Sequence, residues 1–568
     1  MVTENTKVSN KADDILLKKI QPWLKDFPEQ PLPDGLVALP YFAWEDSAQG
    51  NHKILLAQPY KKDASDEHWG FWDLFEMLHV WMFYRRKLET AAMTRIQTAF
   101  SDSLAPEKRI AKTDFEFKNV NHPLTCTALG LVGGEQFGRP EAAETALEKF
   151  EHFVHEWSQY GSFSEYNSPT YLCVDLVALA TIRMFTQNKI AARKAQILEE
   201  RLWLETALRY HIPTATLAGP HNRAGAGDKF GAAADTQYAI HRVLDSGTQL
   251  RLDATNQILN IIRNIGLQRR ITWASKCAHL TFACPDYLRK RMQSPLIPHQ
   301  LTATTYHQES GSTVLTTALN KNFSLGSTAS RGNIRQNNNF AAFWRKREPG
   351  NALQDIKSLY LSHEDFYCVQ NHGRAIVVAQ QLENSPLTIH ARLHEEFDEV
   401  RVGERVQTPQ NAPLEGEDGE AAILRDGLTW VAVQPLPANR ISIDRKCDEF
   451  GKRLDISVTN KGKTTTEKHF EGFCLQLVNA SERNSADAFS EEVATWRISA
   501  QKDDVDVLSV AWDGANESLG IRTDLSRHEL LERRIAGQTV SSAMLASPLV
   551  RQSTEPVLRI GDCTLVKQ

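Results

Sequence analysis

The chain has 568 residues, 41% hydrophobic and 24% charged, with 65 Lys and Arg against 70 Asp and Glu for a net charge of −5. This is the composition of a globular protein with ample core material, long enough for two large domains or several of ~150 residues. A near-balanced charge with no basic stripe excludes a dedicated nucleic-acid binder. No apolar run reaches the ~18–20 residues of a membrane span, the best, Leu176 to Phe185, being broken by Arg183.

The opening MVTENTKVSNKADDILLKK has no apolar h-region. The expectation is a chain without a secretory leader, hence cytoplasmic, or periplasmic or secreted if a leader has been removed. Eight cysteines from Cys126 to Cys563 form no CxxC pair and are expected as buried free thiols.

Helical periodicity dominates up to residue 297. Leu74, Met77, Leu78, Trp81 and Met82 follow the i, i+3, i+4 rule. Pro140 suits a first helical turn, and Ala143, Ala146, Leu147, Phe150, Val154 and Trp157 continue one apolar face. Ala191, Ala195, Leu198 and Leu202 repeat the pattern, as do Ile258, Ile261, Ile262 and Ile265. The spacing predicts helices stacked as antiparallel hairpins.

From residue 298 the period shortens to two. STVLTTALN, RAIVVAQQL, LTIHARLH, LTWVAVQPL, RLDISVTN and VDVLSVAWD read as strands separated by turn signals such as Asn460-Lys461-Gly462 and Asp513-Gly514. Many short strands without intervening helices predict antiparallel sheets packed as a sandwich. The expected fold class is α+β multidomain, with a helical domain at 1–297 and a β-sandwich at 298–568.

Two polar stretches carry candidate chemistry. In Glu165-Tyr166-Asn167-Ser168-Pro169-Thr170-Tyr171, Ser168 reads as an N-cap and Pro169 as the first helical position, so a helix to about Thr186 is expected to start there with Tyr171 in its first turn. A well-capped helix with a packed tyrosine explains the same residues without chemistry. The second stretch, Leu217 to Asp228, is too rich in glycine for a helix and holds His221, Asn222, Arg223 and Asp228: a titratable base, an amide, a fixed cation and a carboxylate. A surface loop is the plain alternative.

Weaker groups are Lys118, Asn119, Asn121, His122 and Pro123 before a helix, and the aromatic set His68, Trp69, Phe71 and Trp72, on which a sugar ring could stack. Trp344, with Arg345 and Arg347, closes an early strand at a possible domain boundary, and Tyr306-His307 opens the β half. HExxH, Cys/His ladders, Walker loops, dinucleotide fingerprints and G-x-S-x-G elbows are absent from the sequence, so no metal and no cofactor is expected.

The Glu165–Tyr171 run, then Glu199-Glu200-Arg201-Leu202-Trp203-Leu204, then Gly219-Pro220-His221-Asn222-Arg223 resembles heparinase II/III-like proteins, which belong with the alginate-lyase-like toroidal polysaccharide lyases. The resemblance implies an (α/α) toroid followed by an antiparallel β-sandwich, with motif support confined to about residues 120–230. It implies β-elimination at a uronic acid in an acidic poly- or oligosaccharide. Such chemistry needs an amide or cation on the carboxylate, a base for the C5 proton and an acid for the departing oxygen.

On that resemblance Asn167 or Arg223 holds the carboxylate, His221 is the base, and Tyr171 donates to the leaving oxygen or serves as base itself. Glu165, Tyr166, Asn222, His122 and Trp72 are expected to bind substrate. The competing readings are a glycoside hydrolase using Glu165 with Asp228 or Asp175, and a non-catalytic glycan-binding protein. A homo-oligomer paired through its sheets is a further expectation.

Overall fold

The computed structural model describes residues 36–566 except 62–66, 69, 107, 109, 111–118, 215, 225–233, 245–268, 295–296, 308–310, 331–337, 347–355, 362, 364, 381–385, 394–396, 408–412, 449–450, 461–469, 484, 504, 515–516, 541–544, 547–549, 553–556 and 561–562. The expected helical stretch around Ile258–Ile265 and the turn at 461–462 lie outside the described residues, as do Trp69, Lys118, Asp228, Arg347 and the side chain of His68.

The chain combines helices with several antiparallel sheets and divides into two compact units. The described residues of Met1–Gln159, Thr170–Ala207 and Ala233–Gln293 form a helical unit. Tyr160–Pro169, Leu208–Ala232 and Ser294–Gln568 form a β unit. Two short stretches from the helical part of the sequence are therefore built into the β unit, and both carry candidate residues.

In the helical unit, α1 (Phe71–Tyr84) buries Leu74, Met77, Leu78 and Trp81 as their spacing requires. It also buries Asp73, Glu76 and His79, each held by a hydrogen bond or an ion pair. The next helices used below are α2 (Asn121–Ala128) and α3 (Pro140–Tyr160). On α3 Ala146 and Phe150 are buried as expected, joined by Ala142 and Phe153, while the expected Ala143, Leu147, Val154 and Trp157 are only half-buried. Small residues set this phase: a Cβ on Gly130 would stand 2.8 Å from that of Ala146, so the two backbones approach there.

Helix α4 (Leu172–Phe185) is buried along its whole first three turns, and α5 (Lys189–Arg209) buries Ala191, Ala195, Leu198 and Leu202 as expected. The last helix needed is α6 (Arg269–His279). The cysteines whose side chains are described are free thiols, most of them buried. No helix among the described residues is long and apolar enough to cross a membrane.

All six expected strands are present. The β unit opens with a meander of β1 (His299–His307), β2 (Gly311–Leu319), β3 (Phe323–Thr328), β4 (Phe340–Arg345) and β5 (Ile356–Leu361). Each is antiparallel to the next within a thirteen-stranded sheet. Tyr306 and His307 thus close the first strand rather than open it. A seven-stranded sheet contains Tyr367–Asn371, Arg374–Gln380, Thr429–Pro435 and Phe470–Asn479.

The two larger sheets share one apolar core, to which Phe323, Leu325, Phe340, Ala342 and Trp344 contribute from one sheet and Val377, Val431, Phe473 and Leu475 from the other. Trp344 lies inside this core, its indole N–H donating to Asp426 at 3.0 Å, and not at a boundary. Strands β3 and β4 are buried on both faces. Their alternate residues Gly326, Ala341 and Phe343 point away from the shared core, and that second face supports the site.

Candidate functional site

The site is assembled on the second face of the meander. Thr317 on β2 donates to the Gly219 carbonyl at 2.7 Å, and Gly219 lies so close to β4 that a Cβ on it would come within 2.8 Å of the Ala341 Cβ. Beneath them, Gly326 on β3 has no room for a side chain, since a Cβ would fall 1.8 Å from the Gly219 carbonyl. The described part of the glycine-rich stretch, 217–224, is therefore a packed strap. The stretch Tyr160–Pro169 is fixed to the same unit: Tyr160 stacks on Tyr306 with ring centres 4.1 Å apart, and Thr305 donates to the Phe163 carbonyl at 3.1 Å.

These two stretches meet. Asn222 donates through its amide to the Ser164 carbonyl at 2.7 Å, and its backbone N–H reaches the Tyr166 carbonyl at 3.3 Å. Arg223 pairs with Glu165 at 3.1 Å, the carboxylate fully buried and the guanidinium reaching the surface. Asn167 adopts the left-handed region, φ 45°, which asparagine tolerates better than most residues. From there its Nδ2 donates both hydrogens, to Ala218 at 2.7 Å and Pro220 at 2.9 Å.

Ser168 is not a helix cap. Its hydroxyl donates to the Arg223 carbonyl at 3.3 Å, and helix α4 starts at Leu172 with Tyr171 as its N-cap. The expected start is thus displaced by three residues, because the hydroxyl that would have capped the helix ties the two stretches together.

His221 is buried and bound to the sheet by an isolated antiparallel bridge with Asn338, each backbone N–H donating to the other's carbonyl at 2.9 Å. Its ring lies 5.7 Å from that of Phe343. Nε2 faces the Leu217 carbonyl at 3.1 Å. A carbonyl only accepts, so Nε2 carries a hydrogen, and when the ring is neutral the lone pair is therefore on Nδ1. Tyr166 is also buried and donates to Asn339 at 3.5 Å. Burial pushes its phenol well above the ordinary range, and the Arg209 cation only partly offsets this, so Tyr166 acts as a neutral hydrogen-bonding group. His211, not singled out in the sequence, is pushed down to about 4 by burial and donates from Nε2 to the Asn320 carbonyl. It is a neutral strut.

Glu165, Tyr166, Asn167, His221, Asn222 and Arg223 are thus brought together within the β unit. Tyr171, Asp175, Trp72 and His122 belong to the helical unit. There Tyr171 accepts the Asp175 backbone N–H through its carbonyl at 2.9 Å, and Asp175 is buried in the first turn of α4. His122 on α2 and Trp72 on α1 stand edge-on at 5.4 Å, joined by Phe71 at 4.6 Å from His122 and by Trp273 of α6 at 5.0 Å from Trp72. Of the aromatic set in the sequence, Phe71 and Trp72 pack together, with His122 and Trp273 joining them from other helices.

Sequence reasoning missed Asn338 and Asn339. Their only mark is an Asn337-Asn338-Asn339 run ahead of β4, and its meaning depends on the bridge to His221.

A family profile described as a domain of unknown function, DUF8769, matches residues 114–249, which include both polar stretches. No curated protein is matched by the chain. Solved structures similar to it include three lyases. A chondroitinase AC lyase has 10% identity and a TM-score of 0.39 over 95% of this chain and 97% of its own. Heparinase III has 8% and 0.41 over 86% and 81%. The heparan sulfate lyase HepC from Pedobacter heparinus has 11% and 0.30 over 86% and 79%.

Proposed function

We propose that the protein is a polysaccharide lyase that cleaves a uronic-acid-containing poly- or oligosaccharide by β-elimination, on the toroid and sandwich scaffold its motifs imply. The observation that carries this reading is His221 itself: a buried imidazole whose Nε2 hydrogen is held by the Leu217 carbonyl, followed along the strap by Asn222 and Arg223, which bind the Ser164 carbonyl and Glu165.

In the proposed step Nδ1 of His221 takes the C5 proton of the uronate. The electron pair left behind becomes the C4–C5 double bond, the C4–oxygen bond breaks, and the departing oxygen leaves with a proton. Negative charge grows on the carboxylate side of the ring as C5 is deprotonated, and the Arg223 cation lowers its energy there. A dry, low-dielectric setting strengthens that attraction. Asn167, with both amide hydrogens engaged by the strap, serves as a positioning residue. Tyr171 is the expected donor to the leaving oxygen by the resemblance alone, a role read by Tyr171→Phe. Glu165 suits a hydrolase less well, since a buried carboxylate committed to Arg223 is a poor proton donor.

The test is incubation with uronate polysaccharides while following ultraviolet absorbance and reducing ends together. Elimination gives an absorbing unsaturated sugar with each new end, and His221→Ala abolishes it. New ends without absorbance would establish hydrolysis instead, and full lyase activity in His221→Ala would remove His221 from the base role.

A further inference from the structure

We infer that Asn338 supplies the amide that holds the uronate carboxylate beside His221, an assignment that rests on the elimination reading above. β-Elimination asks for a donor on that carboxylate, and the sequence offers Asn167. Its geometry excludes it from that role, because a carboxamide nitrogen has two hydrogens, and those of Asn167 go to the Ala218 and Pro220 carbonyls. What remains is Oδ1, an acceptor that repels a carboxylate.

Asn338 has what Asn167 lacks. It is 2% exposed, yet among the described residues neither Nδ2 nor Oδ1 has a hydrogen-bond partner, and Nδ2 of Asn339 is in the same condition. Buried side-chain amides are nearly always satisfied, and one that is not calls for a reason beyond folding. The backbone states where the amide is. His221 and Asn338 exchange both N–H to carbonyl bonds, and in an antiparallel pair of that kind the two side chains project to the same side, with Cα atoms ~5.5 Å apart. An amide donor and a basic nitrogen on one side of one bridge suit a group whose carboxylate and acidic C–H are separated by a single bond.

Arg223, two residues beyond His221, adds the cation, and Glu165, the carboxylate that would otherwise oppose an incoming anion, is paired with it. Exclusion of water strengthens every bond the amide makes.

The experiment uses the full chain, a uronate polysaccharide and its methyl ester, with kcat/KM read from ultraviolet absorbance and folding followed by circular dichroism and melting. Asn338→Ala is expected to lose about thirtyfold on the free acid, the effect of one hydrogen bond to a charged group, and much less on the ester. The isosteric Asn338→Asp, which carries the comparison should the alanine variant fail to fold, is expected to lose more than Asn338→Ala on the acid while sparing the ester, because its added charge repels only a carboxylate. Equal losses on acid and ester, or activity on the acid within about threefold of the parent, would overturn the assignment and leave the elimination reading standing. A parent chain that yields no unsaturated product from any uronate polysaccharide would overturn both.

Discussion

Glu165 and Arg223, which come from separate stretches of the sequence, form an ion pair at 3.1 Å in which the carboxylate is fully buried and the guanidinium is 17% exposed. The pair, with the Ser168 hydroxyl on the Arg223 carbonyl, fastens one polar stretch to the other. Removing the cation takes a partner from a charge that has left water, a change that costs ~3–5 kcal/mol. Arg223→Ala is therefore expected to unfold at markedly lower denaturant, and the double variant Arg223→Ala/Glu165→Gln to recover part of the loss. A double-mutant cycle by equilibrium unfolding measures the coupling, and simple additivity would contradict it.

Asn167 acts through geometry. Asn167→Gly keeps the left-handed conformation and loses the two bonds to the strap, at a cost of ~1–3 kcal/mol. Asn167→Asp sets a carboxylate against the Ala218 and Pro220 carbonyls and is expected to be worse than glycine. Hydrogen exchange at the His221 amide, which bonds the Asn338 carbonyl, reports whether the strap has loosened. Unchanged protection in both variants would show that Asn167 does not hold it.

Two glycines in strands make a paired test. Gly326→Ala forces a Cβ onto the Gly219 carbonyl, so backbone has to move; overpacking of this kind costs ~1–3 kcal/mol or more. Gly520→Ala meets nothing closer than 3.5 Å, the Arg534 Cβ, and is expected to stay within ~0.5 kcal/mol of the parent or to gain. Thermal melting of the two variants side by side checks the strap, and equal melting temperatures would argue against its packing on β3.

Asp73 gives the helical unit a pH dependence. Burial pushes its carboxyl up to about 6; the Leu36 backbone N–H opposes this, nearby Glu76 adds to it and Lys276 again opposes. A folded-state value raised above the ordinary ~3.9 means that the folded protein holds the proton more tightly than the unfolded chain. The resulting stability is fully present below about pH 4 and is lost as pH rises through 6. Asp73→Asn has no such dependence, so its stability relative to the parent is expected to rise between pH 4 and 7 by ~2–3 kcal/mol. Denaturant unfolding across that range checks it, and a difference flat with pH would contradict the burial argument.

Local chemistry was legible in the sequence wherever it is decided by neighbours along the chain. The change of hydrophobic period near 298 separates helices from strands because each geometry places side chains at its own repeat. On α3 the burial of Ala146 and Phe150 was legible and that of Ala142 was not, because it follows from the close approach of Gly130 on another segment. Ser168 and Pro169 look like a helix start by every local rule, and a carbonyl at Arg223 takes the hydroxyl instead. In the site, glycine and proline content identified both polar stretches, while the division of labour among their asparagines depends on acceptors elsewhere. Asn167 spends its donors on a strap that only the folded chain brings near, and Asn338 gains its place from a bridge to a residue more than a hundred positions earlier.

The chain enters the β unit at Tyr160, leaves it after Pro169, returns from Leu208 to Ala232 and joins it for good at Ser294. During translation both early visits emerge before any of β1 to β4 exists, and the Tyr166–Asn339 contact spans 173 residues. Such distant closures are slow to form. A nascent chain halted at residue 297 would carry a strap with no surface to lie on, so the candidate base could acquire its bridge to Asn338 only after the ribosome had finished the first strands of the second unit.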